Sequence, residues 1–356
     1  MSPTRLALTT LVALLLLAPA ASARIAYTTA KGMNAAGAPI VIANDNGNGV
    51  VPLGIRGSSI AISPDGTRIA YVAGPAGEGI SLRIRTIATG AEVRAAMVFG
   101  ASAGNGPEWS SDSAHVLAST DSSKPDGIVT GAGLNVVDAA TGAVTVVVPP
   151  LGNEVTSYTW SPTTPQFAYA VQRWVGPLFS EVTRIAASDG TAVRTLGRGG
   201  SPTWGPASIA LHRYTSERWQ GMRVWHAQLW LADPTGTTAT RQLTHVASTG
   251  LVFGPYAAFW APDGRRLYGD IGGEDMSEPA RFNASSGGVA YYRDAKGRKL
   301  RDAFPAAISA DGATLLMRTG VIEGNDALQL MPAAGGSMRL FKKGVYEISV
   351  PPTWRP

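Results

Sequence analysis

The sequence predicts an all-β fold, a β-propeller of four-stranded blades, and three observations carry that expectation. First, the stretch "IAISPDGTRIAYVA", from Ile60 to Ala73, recurs as "PEWSSDSAHVLAS", "YTWSPTTPQFAYA", "PTWGPASIALHR", "AFWAPDGRRLYGD" and "AAISADGATLLMR". Aligning them sets Ile62, Trp109, Trp160, Trp204, Trp260 and Ile308 in one column, with successive spacings of 47, 51, 44, 56 and 48 residues. A period of about 49 residues is that of propeller blades. Second, short apolar runs alternate with turn signals throughout, and no helical period competes with them. Third, 42 glycines and 24 prolines are scattered along the chain, which suits many short strands joined by turns.

Within each repeat the elements follow in a fixed order. The column residue closes a first strand, and a Pro/Asp/Gly turn follows it. Asp65–Gly66, Asp263–Gly264 and Asp311–Gly312 are strong turn signals because such positions must tolerate positive φ. A second, apolar strand such as "TRIAYVA" comes next, then a loop of variable length. The third strand reads "SLRIRTI", "GLNVVDA", "AQLWLAD" or "ALQLMPA", with turns such as "ATG", "AATG", "DPTG" or "DAKG". A short fourth strand, for example "AVTVVV", "TRQLT" or "MRLFKK", completes the unit. Four strands per repeat leave only short sheet edges when blades pack face to face.

The two chain ends set the blade number. "RIAYTT" reads as a second strand with no column residue before it, and "PIVIAND" and "VVPLGI" follow as two further strands. "PPTWRP" supplies a seventh column residue, Trp354, with no strand after it. Seven blades are therefore expected, the first completed by a C-terminal strand over about Glu347 to Trp354 that pairs beside Arg24 to Thr29. Six blades is the alternative if one of the spacings hides a misread repeat.

Residues 1–23, "MSPTRLALTTLVALLLLAPAASA", have a basic residue at Arg5, an apolar run from Leu6 to Leu17 and the small triplet Ala21, Ser22, Ala23. That is the pattern of a secretory signal peptide cleaved after Ala23. The run is shorter than the roughly 20 residues of a spanning helix. The expected organisation is thus a signal peptide, 1–23, and a single propeller domain, 24–356, secreted or periplasmic and without a membrane span. The chain has no cysteine, so it has no disulfide, no thiolate metal site, no cysteine nucleophile and no site for a lipid-modified cysteine. At 45% hydrophobic and 15% charged it is too apolar to be disordered, and a net charge of +5 is too dilute for a nucleic-acid partner. The basic run "KGRKLR", Lys296 to Arg301, reads as a surface turn that needs no ligand.

The column motif W-S-P-D-G-x-x-I-A-Y resembles the TolB-like, WD40-like (PD40) repeats of bacterial envelope proteins. Trp160, Ser161 and Pro162 match its start, Ser63 to Gly66 with Ile69, Ala70 and Tyr71 its remainder, and Trp260 with Pro262 to Gly264 fits nearly as well. "WGPAS" lacks the acidic turn, and "AAISADG" has isoleucine where the motif has tryptophan. The resemblance spans nearly the whole expected mature chain and implies the propeller fold. It does not extend to the α/β domain that precedes the TolB propeller or to the hydrolase domain of prolyl-oligopeptidase relatives, so a bare propeller is expected. The segment Arg213 to Asp233 also looks somewhat like a stretch of tricorn-type protease propellers.

Several stretches invite chemistry. "GASAG", Gly100 to Gly104, matches the serine-hydrolase elbow G-x-S-x-G, but that motif needs a strand, a sharp turn and a helix, and here Ser102 lies in a Gly/Ala-rich connector. "NDNGNG", Asn44 to Gly49, resembles the start of a calcium loop, yet Ile55 holds the position of its closing carboxylate. His115, His212, His226 and His245 show no metal-ligand spacing. No catalytic residue, metal or cofactor is assigned.

The insertions are more informative. The connections between second and third strands emerge on one face of a propeller, and four in a row are long: "DSSKPDGIVTGA", "RWVGPLFSE", "TSERWQGMRVWH" and "GGEDMSEPARFNASSG". The middle two carry Trp174, Phe179, Arg218, Trp219, Arg223 and Trp225, the residue types enriched in binding hot spots. The expected function is that of a monomeric secreted or periplasmic scaffold that binds another envelope protein or an extracellular ligand on this face. The alternative is an extracellular enzyme, a lyase or glycan hydrolase, with its site in the central channel.

Overall fold

The structure, a computed structural model, describes residues 24–29, 31, 37–74, 80–98, 106–123, 129–175, 178–247, 252–273, 277–320, 327–350 and 354. Residues 1–23, where a signal peptide is expected, and the G-x-S-x-G stretch around Ser102 lie outside the described residues. What is described is all-β, and its strands group by fours. In chain order they are β1 (Arg24–Thr29), β2 (Ala38–Asn44), β3 (Val51–Ile62), β4 (Arg68–Ala73), β5 (Ser81–Thr86) and β6 (Glu92–Val98). β7 (Glu108–Trp109), β8 (His115–Ser123), β9 (Val129–Asp138) and β10 (Val144–Val148) follow, then β11 (Glu154–Trp160), β12 (Gln166–Val175), β13 (Leu178–Ala187) and β14 (Arg194–Arg198). The next two groups are β15 (Gly200–Trp204), β16 (Ile209–Trp219), β17 (Met222–Ala232), β18 (Arg241–Gln242), and β19 (Val252–Trp260), β20 (Arg266–Gly273), β21 (Ser277–Asn283), β22 (Val289–Tyr291). The chain ends with β23 (Ala303–Ile308), β24 (Thr314–Thr319), β25 (Ala327–Pro332), β26 (Arg339–Lys343) and β27 (Val345–Ser349).

The sheet path β27-β1-β2-β3-β4-β5-β6 contains two units that share the long strand β3, whose two halves pair with β2 and with β4. The other units are the successive groups of four from β7 to β26, of which β7–β10 and β11–β14 are joined into one sheet by the parallel pair Glu154 beside Ala132. Apolar clusters then join neighbours face to face. Ile42 of β2 packs with Ile69 and Tyr71 of β4, and Tyr158 of β11 with Leu117 of β8. At the chain ends, Ile25 and Tyr27 of β1 pack with Leu316, Leu328 and Leu330 of the last unit. Alternate side chains of one strand therefore serve different neighbours, because successive residues of a strand point to opposite faces.

The repeated motif has a structural explanation. Ser63 is buried, donates its hydroxyl to Asp65 at 2.5 Å, and accepts the Arg68 N–H, while Asp65 also accepts the Thr67 N–H. Ser110 with Asp112 and Ser309 with Asp311 rebuild the same turn. These hydrogen bonds hold Asp112 and Asp65 below the usual carboxylate range: the Ser110 bond is the leading cause for Asp112, while at Asp65 burial is the largest effect and opposes the lowering by the Ser63 and Thr67 bonds. The column residues lie at the ends of the first strands, opposite the starts of the second: Trp109 beside Val116, Trp160 beside Phe167, Trp260 beside Leu267. Ile62, Trp204 and Ile308 hold the same place beside Ile69, Ile209 and Leu315. Three of the indoles tie one unit to the one before it. Trp109, Trp160 and Trp260 each donate Nε1–H, at 2.9 Å, to the carbonyl of Ala61, Glu108 and Thr203, the residue just before the preceding column position. Gly205 lets the ring of Trp260 lie on its backbone, since a Cβ there would come within 2.4 Å of the indole.

Trp354 departs from the expected column position. β27 pairs antiparallel with β1, Ala26 beside Ser349 and Thr28 beside Glu347, but it ends at Ser349. Extending that register by one residue sets Val350 opposite Ile25, and Val350 lines the same central cavity as Trp204, Trp260 and Ile308. Trp354 lies four residues further on. It is fully buried in the cluster of Ile25, Tyr27 and Leu328, donates Nε1–H to the Asp45 carbonyl at 2.9 Å and accepts the Ala310 N–H on its own carbonyl. Matching tryptophan to tryptophan misplaces the repeat, because a valine fills the column here and the indole packs beyond it.

Candidate functional site

The long connections expected on one face are mostly strand. β16 and β17 run 11 residues each, against 6 in β4 and β5, and join through the two-residue turn Gln220–Gly221. Both turn residues have positive φ, 47° and 81°, as a tight hairpin with right-handed twist requires. At about 3.3 Å per residue the extra length projects roughly 16 Å as a hairpin arm. β12 and β13, 10 residues each, form a similar arm in the preceding unit. In "GGEDMSEPARFNASSG" the segment Ser277–Asn283 is strand β21, and the turn to β22 is Asn283–Gly288, closed by Asn283. "DAKG" turns after β22, where Asp294 caps it.

The arms bring some of the six expected binding residues together. Arg218 stands directly opposite Arg223, and Ser216 opposite Trp225, so Arg218, Arg223 and Trp225 share one face of the β16–β17 arm with Tyr214. Trp225 is 49% exposed, Tyr214 46%, and both arginines are exposed. Lower on this face Leu229 and Leu231 pack against the next unit, and His212 accepts the Ala257 N–H and stacks edge-on against Tyr256. The face is therefore rooted in the core, with Arg218, Arg223 and Trp225 exposed further along the arm. Trp219 pairs with Met222 at the turn, and Trp174 pairs with Phe179 on the neighbouring arm, but the side chains of Trp219, Trp174 and Phe179 lie outside the described residues.

The central channel holds a cavity of about 860 Å³ lined by the inner strands β7, β11, β15, β19 and β23. Its wall is largely apolar or hydroxylic, with Trp204, Phe259, Trp260 and Ile308 beside Thr156, Ser157 and Thr203. Glu108 is the carboxylic acid among the described lining residues, beside the phenol of Tyr158. Burial pushes its carboxyl up to about 7 from 4.5, against the lowering effect of the Trp160 N–H at 2.9 Å and the Thr159 hydroxyl at 3.0 Å. The folded chain thus holds a proton that the unfolded chain releases. Stability falls as pH rises from about 4.5 to about 7 and loses nothing further above that. Glu108→Gln keeps an acceptor for both hydrogen bonds, so it is expected to stabilise the protein by ~1–3 kcal/mol at pH 8 and little at pH 4. Urea unfolding at the two pH values checks this, and equal gains at both would refute it.

The other candidates are structural where they are described. Burial lowers the His212 pKa to about 4, keeping neutral the ring that accepts the Ala257 N–H. His226 is buried beside the Thr215 hydroxyl, and His245 lies near the Gln242 amide. Asn44 to Gly49 form a turn closed by the Asn44 and Gly47 N–H groups. Lys299, in the basic run, meets Glu278 at 2.7 Å and sits 3.6 Å over the Tyr291 ring. No group of three or more His, Asp or Glu residues among those described is placed to hold a metal ion. No described helix is long and apolar enough to cross a membrane.

No family model matches the chain, and no curated protein matches it in sequence. Solved structures match it in fold. The tricorn protease superposes with a TM-score of 0.61 at 12% identity over 92% of this chain, which spans 36% of that protein. TolB from Acinetobacter baumannii gives 0.53 at 15% identity, covering 93% of this chain and 67% of TolB. An oligogalacturonate lyase, solved in complex with manganese, gives 0.57 at 19% identity over 83% of this chain and 82% of the lyase. The β-propeller fold, similar to that of TolB, occurs also in a protease and in a lyase, so function has to be argued from sites.

Proposed function

We propose that this TolB-like propeller is a binding scaffold, exported to the periplasm or beyond, that captures another envelope protein or an extracellular ligand on the face bearing the hairpin arms. The observation that carries the reading is the face of the β16–β17 arm, where Trp225 and Tyr214 are exposed beside the cross-strand pair Arg218 and Arg223. Like charges directly opposite one another cost stability, and aromatic and arginine side chains dominate binding hot spots. A rigid hairpin presents them with little ordering cost on association. Export is supported by Arg5, the apolar run from Leu6 to Leu17 and the small triplet Ala21, Ser22, Ala23 within residues 1–23.

The test is capture of partners from the native secretome and envelope extract by immobilised wild-type protein and by the triple variant Arg218→Ala, Arg223→Ala, Trp225→Ala. The variant is expected to lose capture by about 100-fold or more while keeping its melting temperature, since truncating hot spots costs on the order of 2 kcal/mol each. Wild-type capture by the variant would rule out this face.

A further inference from the structure

At the opposite end of the sheets from the arms, a groove of about 480 Å³ runs between the first two units. It lies beside the Asn/Gly-rich turn of residues 44–49 and the turn at Thr89 and Gly90. Strand alternation aims two guanidinium groups into it. On β1, Ile25 and Tyr27 pack toward the last unit while Ala26 packs toward the second, so Arg24 shares the face of Ala26. On β5, Leu82 and Ile84 pack toward the third unit, which turns Arg83 and Arg85 back toward the first. Arg24 and Arg85 both line the groove, and no carboxylate is among its described lining residues.

The acid across the strand from Arg85 is already engaged. Glu92, the cross-strand neighbour of Arg85, accepts the Tyr71 hydroxyl on one oxygen and the Arg83 guanidinium, at 3.1 Å, on the other. Among the described residues Arg24 and Arg85 have neither an ion pair nor a hydrogen-bond partner, and the Nε–H of Arg85 is buried without an acceptor. A buried donor left unpaired costs free energy, and two like charges facing one groove add repulsion. An oxyanion answers both, because guanidinium groups donate in pairs to carboxylate and phosphate. Asn44 and Thr89 add a neutral amide and a hydroxyl on the rim, and Ile42, Leu53 and Ile87 form apolar walls. The volume is that of a site for a small organic ligand.

We infer that this groove is a second binding site, for a small organic oxyanion whose phosphate or carboxylate is held by Arg24 and Arg85. It is separate from the arm face in both position and residues. The chemistry is opposite in sign to the cation loop that the neighbouring Asn/Gly sequence brings to mind.

The experiment is calorimetric titration of the purified protein with inorganic phosphate and with malonate at constant ionic strength, together with flotation on phosphatidylglycerol and phosphatidylcholine vesicles. The expected result is saturable binding of phosphate or malonate, weakened at least about tenfold in Arg24→Gln, Arg85→Gln. Arg24→Lys, Arg85→Lys, which keeps the charge but loses the paired donors, should bind more weakly than wild type and more tightly than the glutamine variant, and it guards against a glutamine variant that folds poorly. Binding to phosphatidylglycerol vesicles alone, lost in the same variant, would place the phosphate on a lipid headgroup. No saturable binding of any of these probes, or equal binding by wild type and Gln/Gln variant, would overturn the inference.

Discussion

Deleting residues 346–356 is expected to lower the melting temperature by 10 °C or more, or to prevent folding altogether. The deletion removes all but the first residue of β27, exposing the edge of β1, and it takes away Trp354, which is 0% exposed. Its partners Ile25, Tyr27, Val41 and Leu328 would then face water or a void. Two polar links between the chain end and the first two units go as well: the Glu347 N–H to the Thr28 hydroxyl at 3.0 Å, and the Ile62 N–H to the Ser349 hydroxyl at 2.9 Å. Trp354→Ala isolates the indole. Loss of a buried tryptophan costs about 3–5 kcal/mol, here with the Asp45 carbonyl left unpaired. Calorimetric melts of both variants decide the matter. A truncated protein that melts like the intact one would show that the C-terminal strand does not close the first unit.

The second large effect lies in the column. Trp160→Ala is expected to cost about 3–5 kcal/mol, and Trp160→Phe about half as much. Trp160 packs edge-on against Phe167 with ring centroids 5.2 Å apart, and its Nε1–H and backbone N–H both bind Glu108. Phenylalanine keeps the ring contact and the backbone hydrogen bond but leaves the Glu108 carbonyl without its donor. Ile308→Ala, at a column position without an indole, should cost less. Urea unfolding of the three variants measures the series, and an equal cost for Trp160→Phe and Trp160→Ala would show that the indole N–H, which both variants lose, and not the ring contact accounts for the column.

Much of the fold was legible because the repeat is written in residues with local jobs. Ser63, Asp65 and Gly66 build a turn whose hydrogen bonds run within five residues, so their recurrence marks the start of each second strand. Trp109, Trp160 and Trp260 mark where each first strand ends, because the indole must reach the unit before it. The arms were less legible. "RYTSERW" is polar at most positions, so it lacks the apolar alternation that identifies a strand and reads as a loop. Gln220–Gly221, a two-residue turn between equal runs, was the signal that could have revealed the hairpin. Trp354 misled for a different reason: composition identifies an indole, but only register shows whether it stands in the column or four residues past it.

By itself, then, the sequence determined the all-β repeat, its turns and its column residues, since each depends on contacts that recur at a fixed spacing. Tertiary structure decided what depends on residues distant in the chain. It set Arg218, Arg223 and Trp225 on one face, because two 11-residue strands pair them in register. It placed Trp354 under Asp45, 309 residues away, and turned Arg24 and Arg85 into one groove, because the faces of two different units had to be packed before either arginine had a direction.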